Sequence, residues 1–166
     1  MIVVVMGVSG CGKSTVGQAL AGSLGWKFLD ADDFHPPANV AKMAAGTPLT
    51  DDDRWPWLER IAAELRAVNA AGGDAVLACS ALRQAYRDRL ATAGDVRFVH
   101  LAGDLTTIAA RIEARRHRYM PASLLASQFA TLEPPADAIV IDVREPLAAQ
   151  VTAIRAALGV TTGTPR

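Results

Sequence analysis

Gly7-Val8-Ser9-Gly10-Cys11-Gly12-Lys13-Ser14 fills every position of the pattern G-x-x-x-x-G-K-[ST] and follows directly on the apolar run Ile2-Val3-Val4-Val5-Met6. A loop of this kind cradles phosphates only when a buried strand delivers it and a helix leaves it, so that backbone N–H groups and the helix N-terminus face the anion. Both flanks read that way. The β-branched run suits a strand buried on both faces, and residues 15–24 place Val16, Ala19, Leu20 and Leu24 at helical spacing. Gly7, Gly10 and Gly12 permit tight turns and close approach of backbone to an anion. In such a loop Lys13 reaches the β- and γ-phosphates and the Ser14 hydroxyl ligates Mg²⁺. The alternative is a glycine-rich strand-to-helix turn that binds nothing.

Outward from the loop, strand and helix patterns alternate. Strands are expected at 3–6, 27–30, 75–79, 96–101 and 138–143, with segments between them long enough for crossover helices. That pattern predicts a five-stranded parallel sheet with helices on both faces. A long helix is expected to start near Trp55 and end at Gly72-Gly73-Asp74, a shorter one to run over 85–90, and a last one over about 146–158. The chain of 166 residues matches one α/β domain, 1–158, with a frayed tail at 159–166. A domain of that size buries roughly 70% of the surface its unfolded chain exposes, and needs no disulfide or metal staple.

With 17 basic and 17 acidic residues the net charge is zero, which gives no electrostatic reason to expect nucleic acid or an anionic membrane as partner. The N-terminal apolar run is shorter than the roughly 7–15-residue core of a secretory signal, and no later stretch approaches a membrane span. A cytoplasmic protein is expected. Cys11 and Cys79 read as small loop or core residues rather than a redox pair.

In doubly wound sheets ligands sit beyond the carboxyl ends of the strands, so the residues there carry the chemistry. After the second strand comes Asp30-Ala31-Asp32-Asp33-Phe34-His35-Pro36. One carboxylate is suited to an Mg²⁺ water and another to the proton of a substrate hydroxyl; in extended chain Asp30 and Asp32 project to one side and Asp33 to the other. Helix capping is the competing role for Asp32 and Asp33. In Thr50-Asp51-Asp52-Asp53-Arg54-Trp55-Pro56-Trp57 the triple Asp reads as a helix-start signal, Pro56 as a first-turn residue and both tryptophans as core. Ser80-Ala81-Leu82-Arg83 and Arg87 follow the third strand. Arginines there are suited to gripping a carboxylate or phosphate, although a solvated helix face explains Arg87 and Arg89 equally well. Arg111, Arg115, Arg116 and Arg118 crowd eight positions of a neutral chain, which suits a lid that neutralises a moving phosphoryl group; a basic surface patch is the other reading.

These blocks together resemble one family. The phosphate loop, the 30–36 block, Asn39, Lys42-Met43, Gly46-Thr47-Pro48-Leu49-Thr50-Asp51-Asp52-Asp53-Arg54-Trp55-Pro56-Trp57-Leu58, Cys79-Ser80-Ala81-Leu82, Tyr86-Arg87-Asp88 and Ser127-Gln128-Phe129-Ala130-Thr131-Leu132-Glu133 are similar, in this order, to the small thermoresistant-type gluconokinases. The resemblance covers residues 3–158 and implies a P-loop kinase fold, nucleoside-monophosphate-kinase-like with a lid. It also implies transfer of phosphate from ATP, with Mg²⁺, to the C6 hydroxyl of D-gluconate, commonly by a homodimer. Carried onto this chain, Lys13 and the loop amides from Gly7 through Ser14, with Thr15, hold the phosphates. Ser14 and, indirectly, Asp30 serve the metal, and Asp32 orients or deprotonates the hydroxyl. His35, Lys42, Arg54 and Arg83 become substrate contacts, with Arg83 facing the carboxylate; Arg111 becomes the adenine-stacking arginine and Arg118 the lid arginine. His117-Arg118-Tyr119-Met120-Pro121 stands where many relatives read Gly-His-Phe-Met before the proline, which leaves the roles of His117 and Arg118 open. Two other readings share parts of this pattern: a shikimate or nucleoside monophosphate kinase, and a nucleotide-dependent binding module without catalysis.

Overall fold

The computed structural model describes residues 1–114 and 122–160. The strands are β1 (Ile2–Met6), β2 (Lys27–Asp30), β3 (Ala75–Ala78), β4 (Val96–Ala102) and β5 (Ile139–Asp142). The helices are α1 (Lys13–Leu24), α2 (Pro37–Ala44), α3 (Asp51–Ala70), α4 (Gln84–Ala91), α5 (Leu105–Ala114), α6 (Ala122–Thr131) and α7 (Leu147–Leu158), with a short 3-10 turn at Ala31–Phe34. All pairings are parallel, in the order β2-β3-β1-β4-β5.

β1 is central because every one of its residues is apolar and none is exposed. Strand side chains alternate between faces, so Val3 and Val5 pack with Val16, Leu20, Ile108 and Ile154 of α1, α5 and α7. Ile2, Val4 and Met6 pack with Leu58, Ile61, Leu65 and Leu90 of α3 and α4. Helices therefore cover both faces of the sheet, as the alternating sequence pattern predicts. Because every strand runs the same way, the loops leaving β1, β2, β3 and β4 gather along one edge.

Two local expectations need correction. α3 begins at Asp51 rather than near Trp55, because Thr50 accepts from the Asp53 N–H while the Asp53 carboxylate accepts from the Thr50 N–H. This capping box, with three carboxylates in the first turn, starts the helix earlier and leaves Pro56 inside it. Of the two tryptophans only Trp57 is core: its indole N–H donates to the Ala31 carbonyl at 2.7 Å. Trp55 is 38% exposed and meets Tyr86 edge-on, because it lies on the solvent side of α3.

Candidate active site

The phosphate loop bridges β1 and α1, and its backbone has the shape that the glycines allow. Gly10 has φ of +80°, and a Cβ there would come within 2.6 Å of Ile112 Cγ1. Gly12, at φ 99°, precedes the first turn of α1, where Lys13, Ser14 and Thr15 present the helix N-terminus. Lys13 Nζ donates to the Val8 carbonyl at 3.0 Å, curling back over the loop. Cys11 is buried beneath it, its thiol pushed up chiefly by burial, so it lines the loop from inside.

Ser14 Oγ donates to Asp30 Oδ2 at 3.1 Å, which joins the ends of the loop and β2. Asp30 also caps the 3-10 turn by accepting from the Asp32 N–H at 3.0 Å. The extended-strand argument that aligned Asp30 with Asp32 therefore does not hold, since the chain turns at Ala31. Lys13, Asp32 and Asp30 all act electrostatically on the buried Cys79 thiol, which burial above all pushes up to about 12. Capping belongs to Asp30; the cap of α2 is Pro36.

His35 stacks on Trp57 with ring centroids 4.5 Å apart and planes 8° from parallel. Buried Asn39 presents its amide nitrogen to His35 Nδ1 at 3.3 Å and to the Asp53 carbonyl at 2.9 Å. An amide donor against Nδ1 makes that nitrogen the acceptor and leaves the proton of the neutral ring on Nε2. Burial lowers the His35 pKa first, Arg54 lowers it further, and Asp32 opposes both, so the neutral ring is favoured at neutral pH.

The basic residues on this side are all engaged by the chain itself. Lys42 pairs with Asp53 at 2.8 Å, and this bond holds the carboxyl down to about 2. Asp51 faces Arg83 at 3.2 Å and Arg54 at 3.7 Å, and the Tyr86 hydroxyl donates to it. Arg54 also donates to the Leu49 carbonyl at 2.9 Å and lies 5.8 Å from the Tyr86 ring centre. Asp51 and Tyr86 thus join Arg54 and Arg83 into one cluster, although in sequence Asp51 reads only as a helix start.

Arg87 does not lie on a solvated face; its guanidinium is turned into the chain. Only 2% exposed, it donates to the Ala81 and Leu82 carbonyls at 2.8 and 3.1 Å, to Gln84 Oε1 at 3.0 Å and to the Glu133 carbonyl at 2.7 Å. It holds the β3–α4 loop, where Ala81 has a left-handed φ of 45°, costly for a residue with a Cβ. Arg89 pairs with Glu59 instead.

On the far side, Arg111 of α5 donates to the Val143 carbonyl after β5. Arg118 and His117 lie outside the described residues. Gln128 of α6 was singled out in sequence only as part of a block; it accepts from the Ser9 N–H at 2.7 Å and donates to Ser9 Oγ at 2.9 Å. Among the described residues no helix is long and apolar enough to cross a membrane.

A parallel sheet that delivers a G-x-x-x-x-G-K-S loop beside a second-strand carboxylate defines a P-loop phosphotransferase fold. The family model described as an AAA domain matches residues 2–135. A gluconokinase of Gluconobacter oxydans (strain 621H) is 53% identical over 137 residues, covering 81% of this chain and 76% of that protein. The thermoresistant gluconokinase of Escherichia coli (strain K12) is 40% identical, with 88% and 86% covered. A solved gluconokinase from Sinorhizobium meliloti 1021 superposes with a TM-score of 0.83 at 44% identity, over 95% of this chain and 90% of that one. The chain belongs to the gluconokinase family.

Proposed function

We propose that the protein transfers the γ-phosphoryl group of ATP to the C6 hydroxyl of D-gluconate, giving 6-phospho-D-gluconate and ADP, with residues 1–158 as the catalytic unit. The observation that carries this reading is the meeting of two unlike halves at one sheet edge. A phosphate loop joined to Asp30 through Ser14 shares the sheet edge with a cluster of alternating cations and carboxylates. A sugar acid has one carboxylate and many hydroxyls, and such a mixed cluster suits it.

In this mechanism Lys13 and the loop amides, with the N-terminus of α1, bind the β- and γ-phosphates and stabilise charge as it moves to the leaving oxygen. Ser14 Oγ and Asp30 offer only hard oxygens, the donor type Mg²⁺ takes, and would hold it directly and through water. When bound, the ion neutralises phosphate charge. Asp32 orients the C6 hydroxyl and accepts its proton as the oxygen bonds to the γ-phosphorus and the bond to the β-phosphate oxygen breaks. Arg83 and Arg54 receive the carboxylate, His35 Nε2–H and Lys42 meet hydroxyls, Arg111 stacks on adenine, and Arg118 neutralises the moving phosphoryl. The protein acts in the cytoplasm, and as a homodimer; the dimer rests on the family resemblance.

The test is Mg·ATP consumption by the purified protein with D-gluconate, shikimate, AMP, CMP or no acceptor. Turnover with gluconate alone is expected. Turnover with shikimate or a nucleotide would discard the acceptor, and ATP binding without turnover on any acceptor would discard catalysis.

A further inference from the structure

The Val8–Ser9 peptide is held from both sides. Its N–H donates to Gln128 Oε1 at 2.7 Å, and its carbonyl accepts from Lys13 Nζ at 3.0 Å. In a trans peptide these groups point in opposite directions, so fixing one fixes the other. The amide of Gln128 has a single workable orientation, because its Nε2 donates to Ser9 Oγ at 2.9 Å and a flip would set a donor against the Ser9 N–H. Gln128 reaches the loop from 119 positions away, and α5 backs the next residue through Ile112 against Gly10. The Gly10 backbone that follows is free to rotate by its own chemistry, so the peptide before it needs an outside anchor.

We propose that Gln128 is a positioning residue for phosphoryl transfer, acting through the Val8–Ser9 peptide on the placement of the Lys13 ammonium. A rotated peptide would take the Val8 carbonyl away from Lys13 Nζ and leave the ammonium without the acceptor that places it. The inference rests on the proposed role of Lys13, and part of its test is independent of gluconate.

Three proteins are compared: the parent, Gln128→Leu and Gln128→Glu. The leucine variant loses both bonds; its kcat is expected to fall roughly tenfold or more, the scale of a small misplacement in a reacting site. Its KM for D-gluconate stays within about threefold of the parent value, on the scale of binding contacts left in place. In the glutamate variant carboxylate oxygens accept from both the Ser9 N–H and O–H. That variant is expected to recover most of the lost kcat while the added negative charge raises KM for ATP. A merely structural role would lower the thermal midpoint of the leucine variant and leave its kcat alone. That result overturns the proposal. If the leucine variant does not fold, a glutamate variant with low kcat and unchanged KM for ATP overturns it equally. If the parent turns over no gluconate, the proposed function fails separately. Calorimetric titration of Mg·ATP then decides the role of Gln128: weaker binding to the leucine variant is expected, and equal binding overturns it.

Discussion

The two halves of the crevice treat charge in opposite ways. On the phosphate side Lys13 rests on a carbonyl, which accepts its hydrogen bond without cancelling its charge, and the remaining donors are fixed backbone dipoles. On the acceptor side each cation faces a carboxylate of the same chain: Lys42 faces Asp53, and Arg54 and Arg83 share Asp51. A polyphosphate would therefore meet a lysine that, among the described residues, forms no ion pair. In the proposed mechanism a sugar acid would exchange its carboxylate for Asp51 at the arginines. The pairs are partly exposed, and such pairs contribute only about 0–1 kcal/mol each, so the exchange costs little for a ligand that brings its own carboxylate. A neutral sugar has nothing to offer in return. In the proposed mechanism specificity would come from the half that is already neutralised, and rate from the half that is not.

The largest effect should come from breaking the uncancelled half. Lys13→Ala is expected to lower kcat by roughly 10²–10³, the scale of removing one charge-stabilising donor, with little change in the thermal midpoint. An ADP-coupled assay checks it, and near-normal turnover would remove Lys13 from the mechanism. Asp32→Asn, at the boundary between the halves, should cut kcat by about 10² while Mg·ATP affinity holds. If nucleotide affinity falls instead, Asp32 belongs with the metal-side residues.

Arg87 tests the frame of the acceptor half. Arg87→Met should destabilise by roughly 3 kcal/mol, because it strips one buried cation from several carbonyls. Arg89→Ala, at an exposed pair, should cost under about 1 kcal/mol; urea unfolding of both variants separates the two cases. The smallest expected effect is the titration of His35. Burial and Arg54 lower its folded pKa, so its NMR titration midpoint should fall below the ordinary 6.5. The unfolded chain then takes its proton first as pH drops, so His35 makes stability decline from pH 6.5 down to its folded midpoint and level off below. A midpoint above 6.5 would mean that Asp32 outweighs burial.

The phosphate loop and the five strands were legible because their signals are local: a fixed glycine spacing, and short apolar runs buried on both faces. β2 runs over Lys27–Asp30 as its sequence suggests, and β1, β3, β4 and β5 differ from expectation by a residue at their ends. Contacts at the candidate site were less legible than the fold. The Asp30–Asp32 geometry failed because the chain turns into a 3-10 segment where an extended strand had been assumed. α3 started early because Thr50 and Asp53 cap each other, a signal three positions wide hidden beside a run of Asp. Arg87 looks like any helix-surface arginine in sequence, and its burial depends on the Glu133 carbonyl 46 positions away. The contact between Ser9 and Gln128 has no local signature at all.

The division between the halves is tested most directly at Arg83, which faces Asp51 in the acceptor half. Calorimetric titration of D-gluconate, and separately of Mg·ATP, into the parent and Arg83→Gln would measure both halves in one pair of proteins. Gluconate affinity is expected to fall about tenfold, on the scale of one charge-assisted contact, while nucleotide affinity stays within about twofold. Unchanged gluconate affinity with weakened nucleotide binding would contradict the division.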